Sequence, residues 1–303
     1  MDQIKEKIEQ LKKERRAIIL AHNYQRGEVQ EIADFLGDSL DLSQEAAGTE
    51  AELVIFCGVH FMAESASLLS PQKKIILPDL NAGCPLADMV TPEALKQRKR
   101  ELPNAKVVCY INSSAAVKAE SDICCTSANA VQVVNSLKEQ RILFIPDKNL
   151  AHFVSRFTEK EIIPWEGYCI THHIVTAQEV LKARDNHPEA ALIVHPECQP
   201  EVVDLADAVL STSGMVKFAQ ESDYNEIIVG TEMGLVERLK RENPEKKFYL
   251  ASSKFICPNM KLTTLEKVLQ ALESLQPEIR VEEPIRSLAK ASLDKMLAIP
   301  RDR

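Results

Sequence analysis

Ala17-Ile-Ile-Leu-Ala-His22-Asn-Tyr24 is an apolar run that stops on polar residues. The same phrase returns twice, as Lys106-Val-Val-Cys-Tyr110-Ile-Asn112 and as Ala191-Leu-Ile-Val-His195-Pro-Glu197. Short runs rich in Val and Ile read as buried strands. A helical pattern precedes each one: Ile4, Ile8 and Leu11 on one face, then Pro92-Glu-Ala-Leu-Lys, then Ala177-Gln-Glu-Val-Leu-Lys-Ala. Another follows each one: Val29-Gln-Glu-Ile-Ala, Ala115-Ala-Val-Lys-Ala and Pro200-Glu-Val-Val-Asp. Strands that alternate with helices predict parallel sheets flanked by helices.

The spacing is periodic. Ser39, Ser127 and Thr212 each stand 15 residues after the polar end of their run, at Tyr24, Asn112 and Glu197. Second strands follow at Leu53-Val-Ile-Phe, Ile142-Leu-Phe-Ile and Ile227-Ile-Val-Gly. Third strands are visible in the first and last units only, at Lys74-Ile-Ile-Leu and Lys247-Phe-Tyr-Leu. Each unit closes on a cysteine, Cys84, Cys169 or Cys257, at intervals of 85 and 88 residues. The expected architecture is α/β: three pseudo-threefold-related, three-layer domains with parallel sheets around a central active site. The expected boundaries are 1–84, 85–169 and 170–257, with a helical C-terminal tail over 258–303. Leu265, Val268, Leu269, Leu272 and Leu275 give that tail an apolar face.

The composition narrows the function. The chain has 303 residues, 45% hydrophobic and 27% charged, with a formal charge of −8. That acidic balance argues against nucleic acid as a partner. The longest uncharged run, Ile123 to Leu137, is short and polar, so no membrane span is expected. The N-terminal residues lack an apolar signal core, which predicts a cytoplasmic protein with reduced thiols. Its eight cysteines are then free thiols or ligands.

In parallel α/β units, ligands bind at the carboxyl ends of strands. Threefold packing therefore brings His22, Tyr24, Tyr110, Asn112, His195 and Glu197 to one cavity. Ser39, Ser127 and Thr212 precede helical stretches and suit N-cap positions. Helix N-termini also favour carboxylates and phosphates. Asn81-Ala-Gly-Cys84-Pro85 and Ile256-Cys257-Pro258-Asn259 are turn sequences, and Cys169 follows Gly167. Three thiolates from three units suit either Zn²⁺ or a [4Fe–4S] cluster with one open iron.

These segments together resemble the quinolinate synthase family. The match runs through Ala21-His22-Asn23-Tyr24, Gly37-Asp38-Ser39, Ala82-Gly83-Cys84-Pro85, Tyr110-Ile111-Asn112, Cys125-Thr126-Ser127 and Gly167-Tyr168-Cys169-Ile170-Thr171-His172. It continues through His195-Pro196-Glu197-Cys198, Ser211-Thr212-Ser213-Gly214-Met215 and Cys257-Pro258-Asn259-Met260-Lys261. The resemblance implies condensation of iminoaspartate with dihydroxyacetone phosphate to quinolinate, in NAD biosynthesis. It implies a [4Fe–4S] cluster on Cys84, Cys169 and Cys257. It implies substrate contacts from His22, Ser39, Tyr110, Ile111, Asn112, Ser127, His172, His195, Pro196, Glu197 and Thr212. Tyr24, Glu197 and His195 are its catalytic candidates, and transient coupling to L-aspartate oxidase is the partner it suggests. The family pattern favours His172 over the adjacent His173. The competing readings are a three-thiolate zinc lyase or aldolase and a non-catalytic dicarboxylate-binding protein.

Overall fold

Each quoted run becomes the first strand of its own four-stranded parallel sheet in the computed structural model, which describes residues 2–302. The first sheet holds β1 (Ala17–His22), β2 (Phe35–Gly37), β3 (Leu53–Cys57) and β4 (Lys74–Ile76), ordered β2-β1-β3-β4. The second holds β5 (Ala105–Tyr110), β6 (Ile123–Cys125), β7 (Arg141–Ile145) and β8 (Glu161–Pro164), ordered β6-β5-β7-β8. The third holds β9 (Ala191–Val194), β10 (Ala208–Val209), β11 (Glu226–Gly230) and β12 (Lys247–Leu250), ordered β10-β9-β11-β12. One strand order, used three times, is the repeat in three dimensions.

The register explains the spacing of the hydroxyls. Leu20 pairs with Phe35, Val108 with Ile123 and Ile193 with Ala208, each partner 15 residues further on. The pairs Tyr24 and Ser39, Asn112 and Ser127, and Glu197 and Thr212 keep that same interval just past the paired strands. The central pairings agree as well: Ala17–Leu53, Ala105–Arg141 and Ala191–Ile227 are all 36 residues apart. An aspartate just before β2, β6 and β10 locks one edge strand of each sheet. Asp34, Asp122 and Asp207 accept from the backbone N–H groups of Ile19, Val107 and Leu192 at 2.7, 2.8 and 2.7 Å.

Two sequence expectations change. The middle sheet does have a fourth strand, β8, half-exposed and ending on Pro164, where the apolar signal is weak. The hydroxyls are not caps. Asp38 caps the helix Ser39–Gly48, and Ser211 caps the helix Thr212–Glu221, so Ser39 and Thr212 are the first helical residues. Ser127 stands two residues before Asn129, the N-cap residue of the helix Ala130–Ser136. Beyond Cys257 the chain is helical, and its helices are built into the body of the protein. Leu265–Ser274 packs with the N-terminal helix Asp2–Arg15 against the first sheet, burying Ile8, Val268 and Leu272. Ile285–Leu297 packs on the helices His60–Leu69 and Ala115–Ala119 and on β6, which joins the first and second sheets. No helix of the described residues is long and apolar enough to cross a membrane.

Candidate active site

Strand ends from all three sheets line one cavity of about 220 Å³. Its walls include His22 at the end of β1 with Tyr24 beyond it, Tyr110 at the end of β5 with Asn112 beyond it, and His195 and Glu197 beyond β9. Ser39, Ser127, Thr212, His172, Cys84, Cys169 and Cys257 line it as well. Ile111 and Pro196 are buried beside these walls and do not line the cavity. His173 turns away, its Nδ1 3.0 Å from Asn149 Nδ2, so His172 is the histidine that faces inward.

A 3₁₀ turn follows each of two cysteines, Ala87–Met89 after Cys84-Pro85 and Asn259–Lys261 after Cys257-Pro258. Cys169 differs: it is the N-cap residue of the short helix Ile170–His173, and its own N–H donates to Asp147 at 2.9 Å. All eight cysteines are free, and these three are only partly buried. Burial pushes the Cys84 thiol up to about 12, the neighbouring Cys257 adding to the effect. Cys169 rises well above its usual value by burial, Glu197 and the Cys84 and Cys257 sulfurs. A bound cation relieves that arrangement, because metal coordination ionises a thiol outright. Three sulfurs on one cavity wall fit an iron–sulfur cluster or another thiophilic metal. A second ligand set overlaps this one: donor atoms of Cys169, His172 and Glu197 lie within 4.8 Å of one another.

Glu197 anchors the polar network. Its Oε2 accepts from His172 Nδ1 at 3.0 Å and lies 3.2 Å from His195 Nδ1, all three side chains being buried. Burial alone would raise the Glu197 pKa, but His195 and His172 together hold it well below the usual carboxylate range. Burial lowers the His172 pKa, outweighing Glu197. The two statements agree if neutral His172 donates its Nδ1–H to ionised Glu197. His172 Nε2 is then left to accept from Thr231 Oγ1, 2.8 Å away, and Thr231 Oγ1 is 2.5 Å from the Tyr24 hydroxyl. Burial, then Glu197, raises the Tyr24 pKa well above 10, so its phenol stays protonated. His22 is neutral: burial lowers its pKa to about 4, and its Nδ1 accepts from the Tyr24 N–H at 3.1 Å. That leaves its Nε2–H free for an anion.

Sequence reading missed several members. Thr231 sits 36 residues after His195, the same interval that relates β9 to β11, so the register could have found it. Asp38 was passed over as a neighbour of Ser39, yet it lines the cavity. Lys254 is the sole Lys or Arg on the cavity wall among the described residues. Lys261 and buried Glu232, 2.9 Å apart, brace the loop after β1 through the Tyr24 carbonyl.

Comparison with known proteins follows the same outline. The sequence model of one family, described as quinolinate synthetase A protein, matches residues 6–298. A protein of Geobacter sp. (strain M21) named quinolinate synthase is 57% identical over 299 residues, covering 99% of this chain and 98% of the relative. A quinolinate synthase of Methanosarcina barkeri is 55% identical over 294 residues, 97% of both chains. One of Desulforudis audaxviator is 53% identical over 299 residues, 98% of this chain and 99% of its own.

Proposed function

The chain belongs to the quinolinate synthetase A family, and on that premise we propose that it makes quinolinate by condensing iminoaspartate with dihydroxyacetone phosphate. Phosphate and two waters leave, and no electrons are exchanged with a further reactant. The observation that carries this reading is the convergence of three cysteines, neutral hydrogen-bond donors and an acid–base network on one cavity. We assign Cys84, Cys169 and Cys257 to a [4Fe–4S] cluster. When bound, such a cluster supplies a Lewis-acidic iron that has an open position for substrate oxygen or nitrogen.

The chain's own residues do the rest. The His22 Nε2–H and the hydroxyls of Ser39, Ser127 and Thr212 bind carboxylate or phosphate oxygens, with His195 steadied by Ser127 Oγ at 3.2 Å. Asn112 Oδ1 is buried without a hydrogen-bond partner, an acceptor suited to an imine or amine N–H of the iminoaspartate part. Tyr110 closes the wall beside it, and the backbone around Ile111 and Pro196 fixes these ends. Ionised Glu197 takes a proton from carbon, and protonated Tyr24 delivers one to departing oxygen. An imine hydrolyses readily, which favours direct delivery by an L-aspartate oxidase in the same cytoplasm.

The test begins with anaerobically purified protein. The expected result is a brown protein, absorbing at about 400 nm, with iron and sulfide present together. Cys84→Ala, Cys169→Ala and Cys257→Ala each abolish that absorbance, while Cys57→Ala, at the buried end of β3 and off the cavity wall, keeps it. The overlapping Cys169–His172–Glu197 set favours one rival, a mononuclear zinc lyase. Colourless protein with zinc and no sulfide, whose metal is lost in Glu197→Gln and kept in Cys84→Ala, would replace the cluster reading with that one. Tight dicarboxylate binding by iron- and sulfide-loaded protein that forms no quinolinate would leave only a binding protein.

A further inference from the structure

The chemistry above draws on no side chain beyond Cys257, yet residues 298–302 come back to the outer wall of the cavity. Arg301 lays its guanidinium fork on Asp38, with Nη1 2.8 Å from Oδ2 and Nη2 3.2 Å from Oδ1, and Nη2 also donates to Asp41 Oδ1. The other oxygen of Asp41 accepts from Ser213 Oγ. Asp302 accepts from the N–H groups of Val131 at 3.1 Å and Gln132 at 2.8 Å, and its own N–H donates to the Ala128 carbonyl at 2.6 Å. Asp38 precedes Ser39, Ala128 follows Ser127 and Ser213 follows Thr212. A single dipeptide thus holds the chain neighbours of Ser39 and Ser127 directly and that of Thr212 through Asp41, each from a different sheet.

We propose that Arg301 is a positioning residue that, with Asp302, clasps the Ser39, Ser127 and Thr212 turns at one spacing and so sets the cavity's affinity for a carboxylate or phosphate group. The inference rests on the reading of those hydroxyls as the anion subsite. Two physical arguments carry it. Asp38 is a buried carboxylate on the cavity wall, 4% exposed, and a bare charge there would repel an anionic substrate. Arg301 neutralises it from behind through a bidentate pair, a geometry Lys cannot reproduce. Burial would raise the Asp38 pKa, but the Arg301 hydrogen bonds pull it down, so the carboxylate stays ionised and paired. The second argument is distance. Hydroxyls on three separate turns grip one small anion only if the turns keep their spacing, and a misplacement of about 1 Å costs on the order of 100-fold.

The test uses the complete, cofactor-loaded enzyme. Arg301→Ala raises KM for dihydroxyacetone phosphate, and the inhibition constant of inorganic phosphate, by about tenfold, while kcat changes much less. Arg301→Lys falls between wild type and Arg301→Ala. Adding Asp38→Asn to Arg301→Ala recovers part of the loss, because the unpaired buried anion is gone. Wild-type KM and phosphate inhibition in Arg301→Ala, with only Tm lowered, would overturn the proposal by reducing the clasp to scaffolding. So would full recovery by Arg301→Lys. If Arg301→Ala does not fold, Arg301→Lys and the double variant carry the comparison. Failure of the two readings can be told apart. A protein that forms no quinolinate but binds phosphate in an Arg301-dependent way loses the functional reading and keeps the clasp. One that forms quinolinate with unchanged constants in Arg301→Ala keeps the function and loses the clasp.

Discussion

His22 and His195 stand at equivalent points of the first and third repeats, His22 ending β1 and His195 just past β9, and both face the same cavity. Their company differs. Two residues past His22 the chain places Tyr24, whose ring meets the imidazole edge-on at 4.6 Å and whose N–H occupies its Nδ1. Two residues past His195 it places Glu197, whose carboxylate lies 3.2 Å from Nδ1. In the first repeat burial acts on an imidazole without a hydrogen-bonded anion, and the ring stays neutral. In the third, two imidazoles share one buried carboxylate, His172 stacking on His195 at 4.8 Å. A repeat can thus duplicate a position without duplicating its chemistry, because the residue two places on decides what the imidazole Nδ1 faces.

The largest expected effect comes from removing what makes the third repeat different. Glu197→Ala should lower quinolinate formation by about 10²–10⁴-fold, the usual contribution of a positioned acid or base, with the cofactor absorbance retained. Tyr24→Phe, which keeps the ring beside His22, should cost about 10²-fold. Steady-state turnover on loaded protein measures both, and equal, small losses would erase the contrast between the two histidines. A smaller effect is expected in acid. His22 has a folded pKa of about 4 against an ordinary 6.5, so the unfolded chain takes up the proton first as pH falls. Its contribution to stability is complete above pH 6.5 and fades as pH drops towards 4. Urea midpoints of ligand-free protein across that range should fall less steeply in His22→Gln; an identical slope would mean that His22 is charged in the fold. The smallest effects separate hydroxyl from cap. Ser211→Ala should cost about 1 kcal/mol, the typical loss of an N-cap, as Ser211 Oγ accepts from Gly214 N–H at 3.2 Å. Ser39→Ala should leave stability nearly unchanged while weakening phosphate inhibition, and the reverse pattern would make Ser39 the cap after all.

Much of the fold could be read before any coordinate, because buried parallel strands are near-continuous runs of Val, Ile and Leu, and β1, β5 and β9 are such runs. Their polar ends, the 15-residue hydroxyl offset and the closing cysteines pointed to a shared cavity on spacing alone. What escaped had weaker physical signals. The edge strands β2, β6 and β10 span only two or three residues, too short for a period. β8 alternates nothing and ends on proline. The capping roles of Asp38 and Ser211 were hidden by hydroxyl neighbours that suit a cap equally well by type. Asp34, Asp122 and Asp207 were legible as a repeat and unread, since an aspartate before a strand looks like an ordinary loop residue. Contacts such as Arg301 with Asp38 join residues more than 260 positions apart, and no local pattern announces them.

The helix Ile285–Leu297 lies against β6 and the helices Ala115–Ala119 and His60–Leu69. During translation those surfaces emerge well over a hundred residues before their cover is made. A nascent chain that has just completed its third sheet therefore carries a bare apolar trough between the first two, open to holdase chaperones and to self-association. The interval between synthesis of β6 and of residues 285–297 is the period in which this protein is most exposed to misassembly, and slow elongation there would lengthen it.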